Sequence, residues 1–312
     1  MPVTPDDAIA AIRGTGGACP GHRALHAKGT LYRGTFTATP EAAKLSRATH
    51  LDGSPVPTLV RFSNGSGNPT QADGAAGVRG LAVKFTLPDG KTTDVSTQTA
   101  RLFASSTPDG FVELLRALRP GPTMPARLAR LFATRPALLR ALPILAAAGK
   151  TPASYATIEY HGLHAFRWTG ADGGSRFVRY HLIPAAGVQH LSKRAARKQR
   201  PDFLTDELNA RLAAEPVRFD YQVQIAGPND STVDPSASWQ HNDTVSVGTI
   251  EITGLDTERE HDGDIVVFDP LRVTDGIEPS EDPVLRFRSL TYSESVKLRT
   301  GVARGAEAPS IS

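Results

Sequence analysis

The sequence predicts an α+β protein whose antiparallel sheet is large enough to close on itself. Short runs rich in β-branched and aromatic residues recur at hairpin spacing between residues 29 and 268. Helical spacing of apolar residues is concentrated instead in a few stretches, chiefly residues 109–148. Strands and helices grouped in this way are typical of α+β architectures, and 312 residues suffice to bury a substantial core.

The predicted elements follow one another along the chain. A first helix is expected over residues 4–13, because Thr4 can cap it and Pro5 suits its first position. Prolines divide the helical stretch 109–148 into two or three pieces, a further helix is expected at 205–214, and the last one carries Tyr292. Strands are expected at 29–36, 58–62, 81–86, 156–160, 165–168, 177–183, 219–225, 248–252 and 264–268.

Composition and charge exclude several classes of function. Thirty-five Lys and Arg against 32 Asp and Glu leave a net charge of +3, and no run of five like charges occurs, so nucleic acid is not an expected partner. Cys19 is the only cysteine, which excludes an intramolecular disulfide and a cysteine zinc site. The N-terminus has no signal-peptide pattern and no apolar run approaches a membrane span, so a cytoplasmic location is expected.

One pair of residues near the C-terminus suggests metal chemistry. Arg288 lies four residues before Tyr292, so on a helix its guanidinium can reach the phenol oxygen. A nearby cation favours the phenolate form, and tyrosinate is the haem ligand associated with catalase. Taken alone, an R-x-x-x-Y pattern is more often an arginine–tyrosine pair on a surface helix.

Four further motifs accompany this pair in a fixed order. Together the five segments resemble the haem catalases, and the resemblance covers roughly residues 20 to 300. The segments are His22–Gly29 (R-x-x-H-A-K-G), Val60–Ser63 (V-R-F-S), Val78–Phe85 (R-G-F-A-V-K-F), Trp239–His241 with Val247 and Gly248 (W-P-H…V-G), and Arg288–Tyr292.

The resemblance implies a fold, a cofactor and a set of roles. The fold would be a closed antiparallel barrel of about eight strands with external helices, forming a single haem-binding domain over residues 1–301 and a disordered tail over 302–312. The cofactor would be haem b, with Tyr292 as axial iron ligand and Arg288 keeping it ionised. His26 would be the distal acid–base group, oriented by Ser63. Arginines expected to pair with the haem propionates are Arg23, Arg61 and Arg299.

Several departures from the catalase pattern bear on activity. Thr99 is expected, by ungapped alignment, to take the position of the distal asparagine, and a hydroxyl would hold peroxide less well than a carboxamide. Gly65 replaces a valine that narrows the main channel, whereas Asp73 matches the channel aspartate. Compared with full catalases the chain is short at both ends, so the usual NADPH site is expected to be missing. These features resemble the shortened branch of the family, the catalase-related peroxidases.

The expected function is therefore a haem b peroxidase that reduces hydrogen peroxide and organic hydroperoxides with small organic electron donors. No membrane partner is expected, and a homodimer is the expected assembly. A small monofunctional catalase is one alternative. A hydroperoxide isomerase similar to allene oxide synthase is another, although those enzymes carry a threonine before the distal histidine, where Leu25 stands here. A non-enzymatic haem carrier would have no need of the pair His26 and Ser63.

Overall fold

A computed structural model describes residues 2–17, 19–147, 150–260 and 264–300 of the chain. The predicted tail, 302–312, lies outside these residues. The helices are α1 (Pro5–Gly16), α2 (Pro40–Leu45), α3 (Pro108–Leu118), α4 (Met124–Thr134), α5 (Ala141–Ala147), α6 (Lys193–Ala196), α7 (Phe203–Ala214) and α8 (Pro283–Thr300). The strands are β1 (Gly29–Ala38), β2 (Val56–Asn64), β3 (Arg79–Thr86), β4 (Thr92–Gln98), β5 (Tyr160–His161), β6 (Phe166–Thr169), β7 (Ser175–Pro184), β8 (Val217–Ile225), β9 (Thr244–Leu255) and β10 (Ile277–Pro279).

Eight of these strands form a closed antiparallel barrel. The hydrogen-bonded order is β7-β5-β4-β3-β2-β1-β9-β8, and β8 pairs back onto β7 to complete the ring. The two remaining strands, β6 and β10, extend the sheet outside the ring beyond β7. The predicted closed barrel of about eight strands is confirmed, as is the α+β class.

The barrel interior is filled mainly by aromatic side chains. Phe36, Phe62, Phe85 and Phe219 are fully buried and make edge or stacked contacts with neighbouring rings. Because alternate residues of a strand point to opposite faces, the neighbours of these rings point outward. The outer face of β2, β3 and β4 therefore carries the side chains available for a site.

The helices lie outside the barrel, as expected. Helix α1 begins with a full capping box between Thr4 and Asp7, and it contacts both α3 and α8. Asp282 caps α8 by accepting hydrogen bonds from the backbone N–H groups of Val284 (2.8 Å) and Leu285 (3.3 Å). No helix in the described ranges is long and apolar enough to cross a membrane.

The strand predictions differ from the structure at four places, one of which is the short β10, which was not expected. Strand β4 was not expected from its polar sequence, yet it is paired on both sides, and its Asp94 is neutralised by Lys84 and Arg272. Residues 156–160 form a 3-10 turn over Tyr155–Thr157 and only the start of β5. Residues 264–268 form no strand, since their apolar side chains cover the outer barrel wall without ladder hydrogen bonds.

Candidate active site

His26 lies over the outer face of the barrel wall. Its Nδ1 is 2.9 Å from Ser63 Oγ on β2, and Ser63 is directly opposite Gly80 on β3. A Cβ atom placed on Gly80 would lie 2.9 Å from the imidazole, so only glycine leaves room for the ring. The backbone of His26 is in the left-handed region (φ 56°), an uncommon conformation that marks functional sites. The structure thus brings His26 and Ser63 together.

The surroundings of His26 keep its imidazole neutral. The pKa of His26 is lowered from 6.5 to about 3. The main cause is burial of the ring away from bulk water, and the nearby guanidinium groups of Arg61 and Arg288 also contribute. A neutral ring retains a lone pair that can accept a proton at physiological pH.

The three arginines predicted to bind propionates form one cluster. Arg61 is buried and donates to the carbonyl of His26 (3.0 Å). Arg23 makes a two-pronged ion pair with Glu260, and Arg299 Nη1 is 3.9 Å from the same carboxylate. Burial lowers the pKa of Arg61 to about 9 and that of Arg299 to about 10, with the proximity of Arg23 adding to both.

Glu260 is a member of this cluster that the sequence did not suggest. It is 237 residues from Arg23 in the chain and has a left-handed backbone (φ 62°). Its backbone N–H donates to Asp264 Oδ2 (2.9 Å), which ties the backbone of Glu260 to the side chain of Asp264. Only the three-dimensional fold of this loop brings the carboxylate to the arginines.

The cluster fits a bound haem. Within the described part of the chain, the Nε atoms of Arg61 and Arg299 are buried and have no hydrogen-bond partner. Buried donors of this kind are costly unless a ligand satisfies them, and carboxylates match guanidinium geometry. The two propionates of a haem are suitable partners.

Arg288 and Tyr292 are brought together on α8 as predicted. Arg288 Nη2 donates to the phenol oxygen of Tyr292 over 2.6 Å, one helical turn away. The same guanidinium reaches Ser96 Oγ (3.3 Å) on β4, which ties α8 to the outer barrel wall. The side chain of Tyr292 is half-buried on this helix.

His164 and Asp282 form a second buried pair beneath α8. His164 Nδ1 donates to Asp282 Oδ2 over 2.6 Å, and both side chains are almost fully buried. Burial lowers the pKa of His164 to about 4, although the Asp282 hydrogen bond opposes this. Asp282 was missed as a site residue, but the order Asp-Pro at a helix start was a visible capping signal.

The structure does not place Thr99 beside His26. Its hydroxyl accepts from the backbone N–H of Arg79 (3.1 Å), beyond the end of β4. The residue directly opposite Gly80 is Gln98, which therefore lies on the face that carries Ser63. The expected position of Thr99 beside His26 is therefore not found, because a step of one residue along a strand exchanges its two faces.

Two expectations about the access channel also need correction. Asp73 is fully buried, where it binds Lys28 (2.7 Å) and Asn64 (2.7 Å) and accepts from the backbone N–H of Leu204, so it is a structural carboxylate. A Cβ on Gly65 would lie 2.6 Å from Val78 Cγ2. Val78 thus fills the space that a side chain at position 65 would occupy, and the glycine does not by itself widen the approach.

Comparison with known proteins agrees with this geometry. A family model described as Catalase matches residues 20–305. A catalase-related peroxidase of Mycolicibacterium paratuberculosis is 72% identical over 309 residues, 99% of this chain and 99% of the relative. The chain belongs to the catalase family. It is therefore a catalase-family enzyme, an oxidoreductase acting on peroxide, in a family that binds haem.

Other catalase-family proteins are more distant. The catalase-related peroxidase of Synechococcus elongatus is 34% identical over 303 residues, 96% of this chain and 89% of the relative. A fungal catalase structure matches with a TM-score of 0.78 at 23% identity, covering 91% of this chain but 60% of the fungal one. At that identity the likeness shows the catalase fold alone.

Proposed function

We propose that the protein is a haem b peroxidase that reduces hydrogen peroxide and organic hydroperoxides with small organic electron donors. The observation that carries the proposal is the His26–Ser63 pair, held against Gly80 and surrounded by guanidinium groups. Peroxidase rather than catalase activity is favoured by the near-full-length relative, which is named catalase-related peroxidase.

His26 acts as the acid–base group in this proposal. When its Nδ1–H donates to Ser63 Oγ, the opposite ring nitrogen, Nε2, carries the lone pair. Nε2 can then take the proton of the attacking hydroperoxide and return it to the departing oxygen. Ser63 contributes by fixing the ring, since a rotated imidazole would point its lone pair elsewhere.

Arg288 and Tyr292 would hold the haem iron in this proposal. Bound haem would supply the iron centre at which the O–O bond of the peroxide is broken. Tyr292 would be its protein ligand, and the hydrogen bond from Arg288 stabilises the phenolate form that binds a metal. Arg61 and Arg299 would hold the propionates through their unpaired Nε groups.

A small catalase is the second candidate, and Gln98 favours it. The carboxamide that catalases use to position peroxide was expected to be absent, but Gln98 supplies one on the His26 face. Glutamine is one methylene longer than asparagine, so its amide reaches further from the strand. The distance between a bound peroxide and the His26 ring therefore depends on the conformation of the Gln98 side chain.

One experiment on one sample separates the two candidates. The haem-reconstituted protein is assayed for oxygen evolution from hydrogen peroxide and for oxidation of a phenolic donor, with cumene hydroperoxide as a second oxidant. We expect donor oxidation with both oxidants and weak oxygen evolution. Vigorous oxygen release without any reaction toward cumene hydroperoxide would establish the catalase instead.

The homodimer, the cytoplasmic location and the single domain over residues 1–301 are further proposals. Light scattering of the purified protein tests the first, cell fractionation the second, and limited proteolysis the third. The absence of a membrane-spanning helix from the described ranges is compatible with the second proposal.

A further inference from the structure

A cavity of about 350 Å³ opens beside the ends of β3 and β4. We call it the Arg101 cavity, and its polar lining consists chiefly of Arg79, Arg101, Lys150, Glu159, His161 and His190. Its volume is within the range of small-molecule sites.

The Arg101 cavity lies close behind the candidate active site. Its wall includes Arg79, which precedes Gly80, and Thr99, which follows Gln98. Gly80, Gln98 and His161 are directly opposed on three neighbouring strands. Two strand spacings amount to roughly 10 Å, so His161 in the cavity wall lies about that far from the backbone under the His26 ring, and Arg79 lies closer.

The charge of the cavity is positive. Arg79 is 3% exposed, its terminal nitrogens bind backbone carbonyls such as those of Gly77 and Asp73 (each 2.7 Å), and its Nε has no partner within the described chain. Arg101 and Lys150 add two further cations at the rim. Among the described lining residues Glu159 is the one carboxylate, and it pairs with Arg101.

The remaining walls are apolar. Val78, Ala100 and Ile158 line the inner part of the cavity, and Val188 stands at its mouth with 48% of its surface exposed. Apolar walls with surplus cations suit a molecule that has a hydrophobic body and an anionic group. Hydrogen peroxide has neither property.

We propose that the Arg101 cavity binds the reducing substrate and that this substrate is an organic anion, such as a phenol carrying a carboxylate. The inference rests on the proposed peroxidase function and names the donor class for it. Each phenol loses one electron and one proton, and two phenols together convert one hydroperoxide, ROOH, to ROH and water. The cavity needs no contact with peroxide for this, because the donor supplies only electrons and protons.

Two phenols of opposite charge test the proposal. The anion 3-(4-hydroxyphenyl)propionate and the cation tyramine share the reacting group, so their KM values are compared with one hydroperoxide. We expect a lower KM for the anion, and a rise of that KM with ionic strength. Arg101→Gln should raise the KM of the anion about two- to five-fold and lower that of tyramine, since an exposed ion pair has an effect of this size.

Two further variants sharpen the test. Glu159→Gln removes the carboxylate of the cavity and should lower the KM of the anion. Arg218→Gln breaks a comparable exposed pair, Arg218–Glu251 on β8 and β9, and should change neither KM. Equal responses of both phenols to Arg101→Gln, or none, would overturn the proposal.

Calorimetric titration with 3-(4-hydroxyphenyl)propionate separates this proposal from the peroxidase assignment. Binding that weakens in Arg101→Gln, without oxidation of either phenol, would support the cavity and refute the peroxidase. Oxidation of both phenols with no binding that depends on Arg101 would refute the cavity alone.

Discussion

Replacing Gly80 by alanine tests the position of the His26 imidazole directly. The new Cβ would lie 2.9 Å from Cε1 and Nδ1 of His26 and 2.8 Å from Ser63 Oγ. Ordinary contacts begin at 3.4 Å, so the ring must retreat by at least 3.4 − 2.9 = 0.5 Å. The barrel wall behind Gly80 is closed by strand pairing on both sides, so the imidazole moves rather than the strand.

The expected effects differ in size for stability and for activity. Overpacking costs about 1–3 kcal/mol of unfolding free energy, and loss of the His26–Ser63 hydrogen bond contributes about 1 kcal/mol of it. A displaced acid–base group slows the reaction with peroxide by about 10²-fold. We therefore expect a folded Gly80→Ala protein whose haem content is retained and whose peroxide reactivity is strongly reduced.

Stopped-flow measurement of the bimolecular rate with hydrogen peroxide, together with a urea unfolding curve, checks both effects. Gly254→Ala is the matched control, since a Cβ on that glycine of β9 meets nothing within 4 Å. A Gly80→Ala protein that reacts with peroxide at the parental rate would show that the ring is not held over this glycine.

Four other outcomes are expected. Tyr292→Phe should lose most of its haem, as read from the absorbance ratio of haem to protein after reconstitution. Glu260→Gln removes the carboxylate that pairs with the arginine cluster, so it should lower the melting temperature of the haem-free chain and tighten haem binding in a fluorescence titration. The control is Glu258→Gln, an exposed residue of the same loop, which should change neither quantity. The pKa of His26 is lowered to about 3 in the folded protein, so between pH 3 and 6.5 the unfolded chain binds one proton more than the folded one. The free energy of unfolding should therefore fall as the pH drops through this window. His26→Gln should reduce the slope of that fall by up to about 1.4 kcal/mol per pH unit. Val78→Ala should raise the rate with cumene hydroperoxide more than that with hydrogen peroxide, since its side chain fills the space beside Gly65.

Local sequence alone predicts only the contact between Arg288 and Tyr292, whereas the meeting of His26 with Ser63 was expected only from the resemblance to catalases. Arg288 and Tyr292 are one turn apart, so helical periodicity alone brings them together. Thr99 was misplaced because β4, a polar strand, was not expected, and without a strand register the choice between adjacent residues is open. Glu260 belongs to an irregular loop whose path depends on tertiary contacts, so no local pattern reveals it.

Most of the barrel strands were predictable from their sequence pattern, with β4 as the exception. Barrel strands keep their period-two alternation even when short, because their inner faces share one core. Residues 264–268 show the limit of this rule, since an apolar run that covers the outside of the wall has the same pattern without hydrogen-bonded neighbours.

The side chain of Asp282 determines both where α8 begins and how the helix is attached to the rest of the fold. One carboxylate oxygen receives the backbone N–H groups that open the helix, and the other receives the ring of His164, 118 residues earlier. The hydrogen bond between Asp282 and His164 therefore fixes the direction of α8 relative to the chain around His164. The position of Tyr292 on this helix is therefore fixed by contacts of Asp282, nearly three turns earlier in the helix.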